Sequence, residues 1–140
     1  MKNNPLLLLF CSLVIGSCTN AEQEQLEHLQ NEVLAVHDDV MPQMGRLNEL
    51  KTSLMEKNEM LKASADSTVI DQVILNDLLI TKLDQSHEGM MAWMRQFERI
   101  DEQREVPENR QYLEDQMQMI QQVKTDMDQA IQSAEQALTE

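Results

Sequence analysis

Two short stretches of this 140-residue chain carry side chains suited to holding a soft metal ion. In the first, His37, Met41 and Met44 follow at intervals of four and three residues; in the second, His87, Met90, Met91 and Met94 span the same interval. On a helix this spacing projects each group from one face. Thioether sulfur and imidazole nitrogen are the donors that select Cu(I), and by the same softness Ag(I). Trp93, inside the second stretch, offers a ring face to cover a bound cation. Packing is an equally physical account of the same residues. Methionine is a flexible core filler, and a seam histidine is commonly satisfied by a neighbour, here Asp38, Glu88 or Gln121. A third account is a methionine-lined groove for apolar peptide or lipid. The residues alone leave all three open. His28 has no methionine neighbours and is expected to be solvated.

Other chemistry is poorly represented. The chain contains no Gly-rich nucleophile elbow, P-loop or dinucleotide fingerprint, and His87-Glu88-Gly89 lacks the second histidine of a zincin helix. The abundant carboxylates read as solvated helix faces. No enzymatic activity and no catalytic residue is expected. With 25 acidic and 11 basic residues the formal net charge is −14, which disfavours nucleic acid and anionic headgroups as partners. Metal cations, or another envelope protein, suit it better.

The N-terminal residues explain why sulfur chemistry would fall to methionine. Lys2, an apolar run from Leu6 to Ile15, and the small residues Gly16 and Ser17 before Cys18 form the pattern of an export signal. About ten apolar residues are too few for a spanning helix, which needs roughly 20. Ile15-Gly16-Ser17-Cys18 resembles the lipobox of bacterial lipoproteins, in which the cysteine receives diacylglycerol. Cleavage before Cys18 removes Cys11 with the signal, so no disulfide is expected. Loss of Lys2 leaves ten basic against 25 acidic residues, a net charge of −15. Two or three acyl chains make a durable anchor, and Thr19 in place of an aspartate favours the outer membrane of the cell envelope.

These groups must be positioned by helices. Beyond Cys18 the chain is poor in glycine, proline and aromatics and rich in Glu, Gln, Leu and Met. Three apolar stripes recur at steps of three and four. The first runs from Leu26 through Val33, Val40, Leu47 and Leu54, with Asn20 and Gln23 spaced as a capping box. The second, a strict heptad seam, runs through Leu79, Leu83, Ser86, Met90, Trp93, Phe97 and Ile100, with Thr68 and Asp71 spaced to cap it. The third passes through Leu113, Met117, Ile120, Met127, Ile131, Ala134 and Leu138, with Pro107 in its first turn.

Short links make consecutive helices antiparallel, so the expected fold is all-α: an up-down-up three-helix bundle with coiled-coil-like packing. An extended coiled coil or helical oligomer is the alternative. The expected organisation is a signal peptide at 1–17, a lipidated cysteine and tether at 18–28, and the bundle at 29–140. Folding about a first turn near Asp66 sets residue i opposite about 132 − i; a second turn near Val106 makes that number about 212. Both registers collect seven methionines (Met41, Met44, Met90, Met91, Met94, Met117, Met119) into one slab with His37, His87 and Trp93. Pro42 should bend the first helix there. Gly45 and Gly89 at the same level suggest a close helix approach or room for a ligand.

The stretches His37-Asp38-Asp39-Val40-Met41-Pro42-Gln43-Met44-Gly45 and His87-Glu88-Gly89-Met90-Met91-Ala92-Trp93-Met94 resemble those of small bacterial lipoproteins that carry the automatic label "viral A-type inclusion protein". The resemblance extends over most of the chain after Cys18. It implies a lipid-anchored helical protein and no activity, and it transfers no functional residues.

Overall fold

A computed structural model describes residues 16–64, 67–101 and 103–139. Residues 1–15 of the export signal expected at 1–17, Cys11 included, lie outside the described residues, as do the side chain of Cys18 and the turn residues Ala65 and Asp66. Among the described residues the chain is helical without strands: α1 (Gly16–Val40), α2 (Gln43–Ala63), a 3-10 turn (Ser67–Val69), α3 (Ile70–Gln96) and α4 (Val106–Thr139). None of these helices is long and apolar enough to cross a membrane.

α1 and α2 form one rod interrupted at Met41 and Pro42. Proline has no N–H to continue the i to i−4 ladder, and the chain bridges the gap with Met41 N donating to His37 O (2.9 Å) and Met44 N donating to Met41 O (3.2 Å). Asn20 sits inside α1, which is already helical from Gly16, so the expected capping box at Asn20 and Gln23 does not start it. Val69, with αR backbone angles and no side-chain cap bond, takes the N-cap of α3. The 3-10 turn ahead of it moves the helix start past the expected Thr68 cap.

Cross-helix contacts define the register. Between α2 and α3 the numbers run in opposite directions: Asn58 bonds Asp77 and Asn76, and Lys51 bonds Asp84. These pairs add to 134 or 135, close to the 132 expected. Ser86 Oγ donates to the Asp126 carbonyl of α4 at 3.3 Å, a sum of 212. Between the first rod and α4 the numbers rise together, with Gln25 against Arg110, Asp39 against Lys124 and Arg46 against Glu135.

The core is continuous along the rods. Val33, Val40, Leu47, Leu50 and Leu54 of the first rod meet Leu79, Leu83, Met90 and Trp93 of α3 and Ile120, Met127, Ala130 and Ala134 of α4. Packing starts at Leu26, which is fully buried. On α4 the buried positions include Gln116, Ala130 and Ala137, each one residue before the expected Met117, Ile131 and Leu138, which are only half-buried. α4 packs against α1, α2 and α3, so its apolar face is wider than a single seam, and alanines at its centre permit close approach.

The second reversal is longer than expected. α3 ends at Gln96, and Phe97 turns extended (ψ 125°), so Phe97 and Ile100 leave the helical seam. The strap from Phe97 to Glu105 is held by three side chains. Tyr112 Oη accepts from Glu98 N (2.7 Å), Gln30 Oε1 accepts from Ile100 N (2.7 Å), and Asn109 Nδ2 donates to the carbonyls of Asp101 (2.8 Å) and Arg104 (3.2 Å). Gln30 and Asn109 are buried; their bonds satisfy strap backbone groups that would otherwise be costly to bury.

Candidate functional site

The slab of methionines and histidines is centred where the first rod breaks. Pro42 interrupts the ladder between Val40 and Leu47, both buried, and α3 brings its last turns to the same level. There the His37 and Trp93 rings stack, 5.5 Å between centroids and inclined by 30°. Trp93 also stacks on Phe97, at 4.8 Å and 24°. Such offset stacks add roughly 0.5–1.5 kcal/mol beyond the area they bury.

The structure places the candidate ligands unevenly. Met90 is fully enclosed in the core; Met41, Met44, Met94 and Met117 are half-buried and pack against it. His87 and Met91 are also half-buried, but Met91 does not join that cluster, and Met119 is 40% exposed. His37 Nδ1 lies 2.9 Å from Asp38 Oδ1, the satisfaction by a neighbouring acid that packing requires. His28 is 75% exposed beside Glu32, at 3.6 Å.

Trp93 is enclosed within the slab. It is 3% exposed and occupied by its two stacking partners. Its indole Nε1 is buried with no hydrogen-bond partner among the described residues, a polar loose end within the slab. The glycines do not mark a close helix approach. A methyl group at Gly45 would meet nothing within 4 Å, and one at Gly89 would meet Val123 Cγ2 at 3.9 Å, an ordinary contact. Gly89 instead lines a shallow groove between α3 and α4 with Ser86, Val123 and Asp126. Among the described residues no three His, Cys, Asp or Glu side chains group to hold a metal ion.

Charge is organised around the slab rather than in it. Lys124 of α4 bonds Asp39 of α1 at 2.6 Å, and the Arg46 Nη2 of α2 bonds Glu135 of α4 at 2.8 Å. Each cation is raised above its ordinary pKa chiefly by that hydrogen bond. These pairs fasten α4 to both halves of the interrupted rod.

The three core stripes do not include a second feature. Ile70, Ile74, Leu75 and Leu78 stand exposed on α3, away from its buried stripe. The signal was present in composition: Val69 to Ile80 holds more apolar residues than one buried face of a helix requires. No family model, curated protein or solved structure matches this chain.

Proposed function

We propose that this chain is a non-enzymatic scaffold of the bacterial cell envelope, an up-down-up helical bundle anchored through lipid on Cys18 and engaging another protein with its outer helix faces. The observation that carries this reading is the stack of His37, Trp93 and Phe97, whose Trp93 shares one core cluster with the fully buried Met90. Those side chains are committed to packing at the slab, while large apolar side chains stand in solvent elsewhere. The residues around Cys18 support the anchor, and the absence of an aspartate after it favours the outer membrane. The expected outcome is that the full chain labels with radioactive palmitate and sediments with membranes, whereas Cys18→Ser does neither. A Cys18→Ser protein that still labels and sediments refutes the anchor.

A second reading is a Cu(I) or Ag(I) site formed by His37, Met41, Met44, His87, Met90, Met91 and Met94. The observation favouring it is that Met41, Met44, Met90 and Met94 share one cluster, with His37 stacked on that cluster's Trp93. Titration with Cu(I) against a competing chelator separates the two readings. Scaffold packing predicts equal, weak uptake by wild type and by the His37→Ala, His87→Ala double variant; a metal site predicts tight uptake that the double variant loses.

A further inference from the structure

The first three turns of α3 are apolar on more sides than the bundle covers. Leu79 is buried and Val73 and Ile80 are half-buried, yet Ile70, Ile74, Leu75 and Leu78 are 57, 53, 47 and 58% exposed. A helix apolar all round is normally covered all round. Within this outer face Asp71, Leu75, Leu78 and Lys82 follow at intervals of four, three and four, the spacing of a coiled-coil seam. Ile74 lies beside them. The stripe has an acid at one end, two leucines at its centre and a base at the other end.

That order is self-complementary in one orientation only. If two such helices pair antiparallel about a two-fold axis between residues 76 and 77, Leu75 of one copy meets Leu78 of the other, and Asp71 meets Lys82. An isologous contact of this kind presents the same patch from both molecules. Asp71 and Lys82 are exposed, and among the described residues neither is engaged in an ion pair or side-chain hydrogen bond. The charge distribution favours contact at this place. Residues 50–82 hold four basic and five acidic side chains, a net charge of −1, leaving −13 on the remainder. Two acidic molecules therefore approach here with less repulsion than their overall charge implies.

We propose that the outer face of α3 is a self-association surface, through which two copies of this chain pair antiparallel with Leu75 and Leu78 at the centre, Ile74 alongside, and reciprocal Asp71–Lys82 ion pairs at the ends. The inference does not depend on the membrane anchor. In this pairing the two N-terminal ends point away from each other, so a pair sharing one membrane lies along its surface.

The test is sedimentation equilibrium of the full chain in density-matched detergent, with Asp71→Lys and Lys82→Asp variants. Wild type should dimerise, and each single reversal should weaken dimerisation at least about tenfold by setting like charges together. An equimolar mixture of the two variants should recover it, because each mixed pair sets two bases on one copy against two acids on the other. A general charge effect predicts something else: Asp71→Lys lowers the net negative charge and would strengthen association. Wild type that stays monomeric to about 100 µM, or variants whose mixture associates no better than either alone, overturns the proposal. Both positions are exposed, so at concentrations where wild type is monomeric the single variants should still melt cooperatively, Asp71→Lys slightly below wild type because it removes the acid from the first turn of α3. Leu78→Ser, exposed as well, should also lose the dimer without unfolding.

Discussion

The side-chain amide of Asn76 donates to Asn58 Oδ1 at 2.6 Å across the α2–α3 seam, and both residues are closed off from solvent. Asn58 Nδ2 in turn donates to Asp77 Oδ1 at 2.8 Å. A buried asparagine pair in an apolar seam stabilises one register at the expense of total stability, because a shifted register would leave each amide without its partner. Asn76→Ala should cost about 1–3 kcal/mol by stranding Asn58 Oδ1. The Asn58→Leu, Asn76→Leu double variant should be at least as stable as wild type in urea, while hydrogen exchange over α2 and α3 becomes faster as the register loosens. A double variant with slower exchange throughout would argue against a register role.

How much of this was legible in the sequence differs between elements. The heptad positions Leu79, Leu83, Ser86, Met90 and Trp93 are the buried face of α3 as periodicity predicts, because that helix reads one seam. The cross-helix register near 132 and 212 was also accessible, since helices rise uniformly. Three features were not. The one-residue offset on α4 arises because that helix serves several neighbours. The strap from Phe97 to Glu105 depends on Gln30, Tyr112 and Asn109, whose bonds reach up to 70 residues along the chain. At the slab, sequence spacing brings His37 and Trp93 to one level but cannot say whether their rings leave a space or stack; here they stack.

The two extremes of methionine exposure separate packing from ligation. Met90 is fully buried and Met119 is 40% exposed. Met90→Ala should destabilise by about 2–5 kcal/mol through lost burial and a cavity, whereas Met119→Ala should stay within roughly 0.5 kcal/mol of wild type. Chemical denaturation of both variants, with and without Ag(I), is the measurement. If Met90 acts only in packing, Ag(I) leaves the gap between them unchanged; a gap that widens with Ag(I) assigns Met90 to a metal site.

Alanine at Gly45 and at Gly89 should stabilise the protein. Neither Gly45 nor Gly89 would bring a Cβ into close contact, and glycine inside a helix costs roughly 0.5–1 kcal/mol relative to alanine. Gly45→Ala should approach the lower figure because it lies in the first turn of α2. Gly89→Ala, mid-helix in α3, should approach the upper figure and gain the Val123 contact. Thermal melting of the single and double variants checks this. A loss of stability in Gly89→Ala would mean that the groove beside Val123 tightens in solution.

Salt sets two opposing electrostatic effects against each other. The Lys124–Asp39 and Arg46–Glu135 bonds tie α4 to α1 and α2, and screening weakens them. Because both cations are raised above their ordinary pKa, the stability they add is fully present at neutral pH. Lys124 loses its share as pH rises through the alkaline range above about 10, whereas Arg46 keeps its charge there. Both pairs are solvent-exposed, a setting in which ion pairs contribute little. Against them stands the mutual repulsion of a chain with net charge −14, which screening relieves across the whole surface. Repulsion should dominate, so the urea midpoint at neutral pH should rise when NaCl is increased from about 10 mM to about 0.3 M, over which the screening length shortens severalfold. Lys124→Met, which raises the net negative charge and removes one tie, should lie below wild type at low salt and converge toward it at high salt. A midpoint that falls with added salt would instead make the two inter-helix pairs the dominant electrostatic contribution to the bundle.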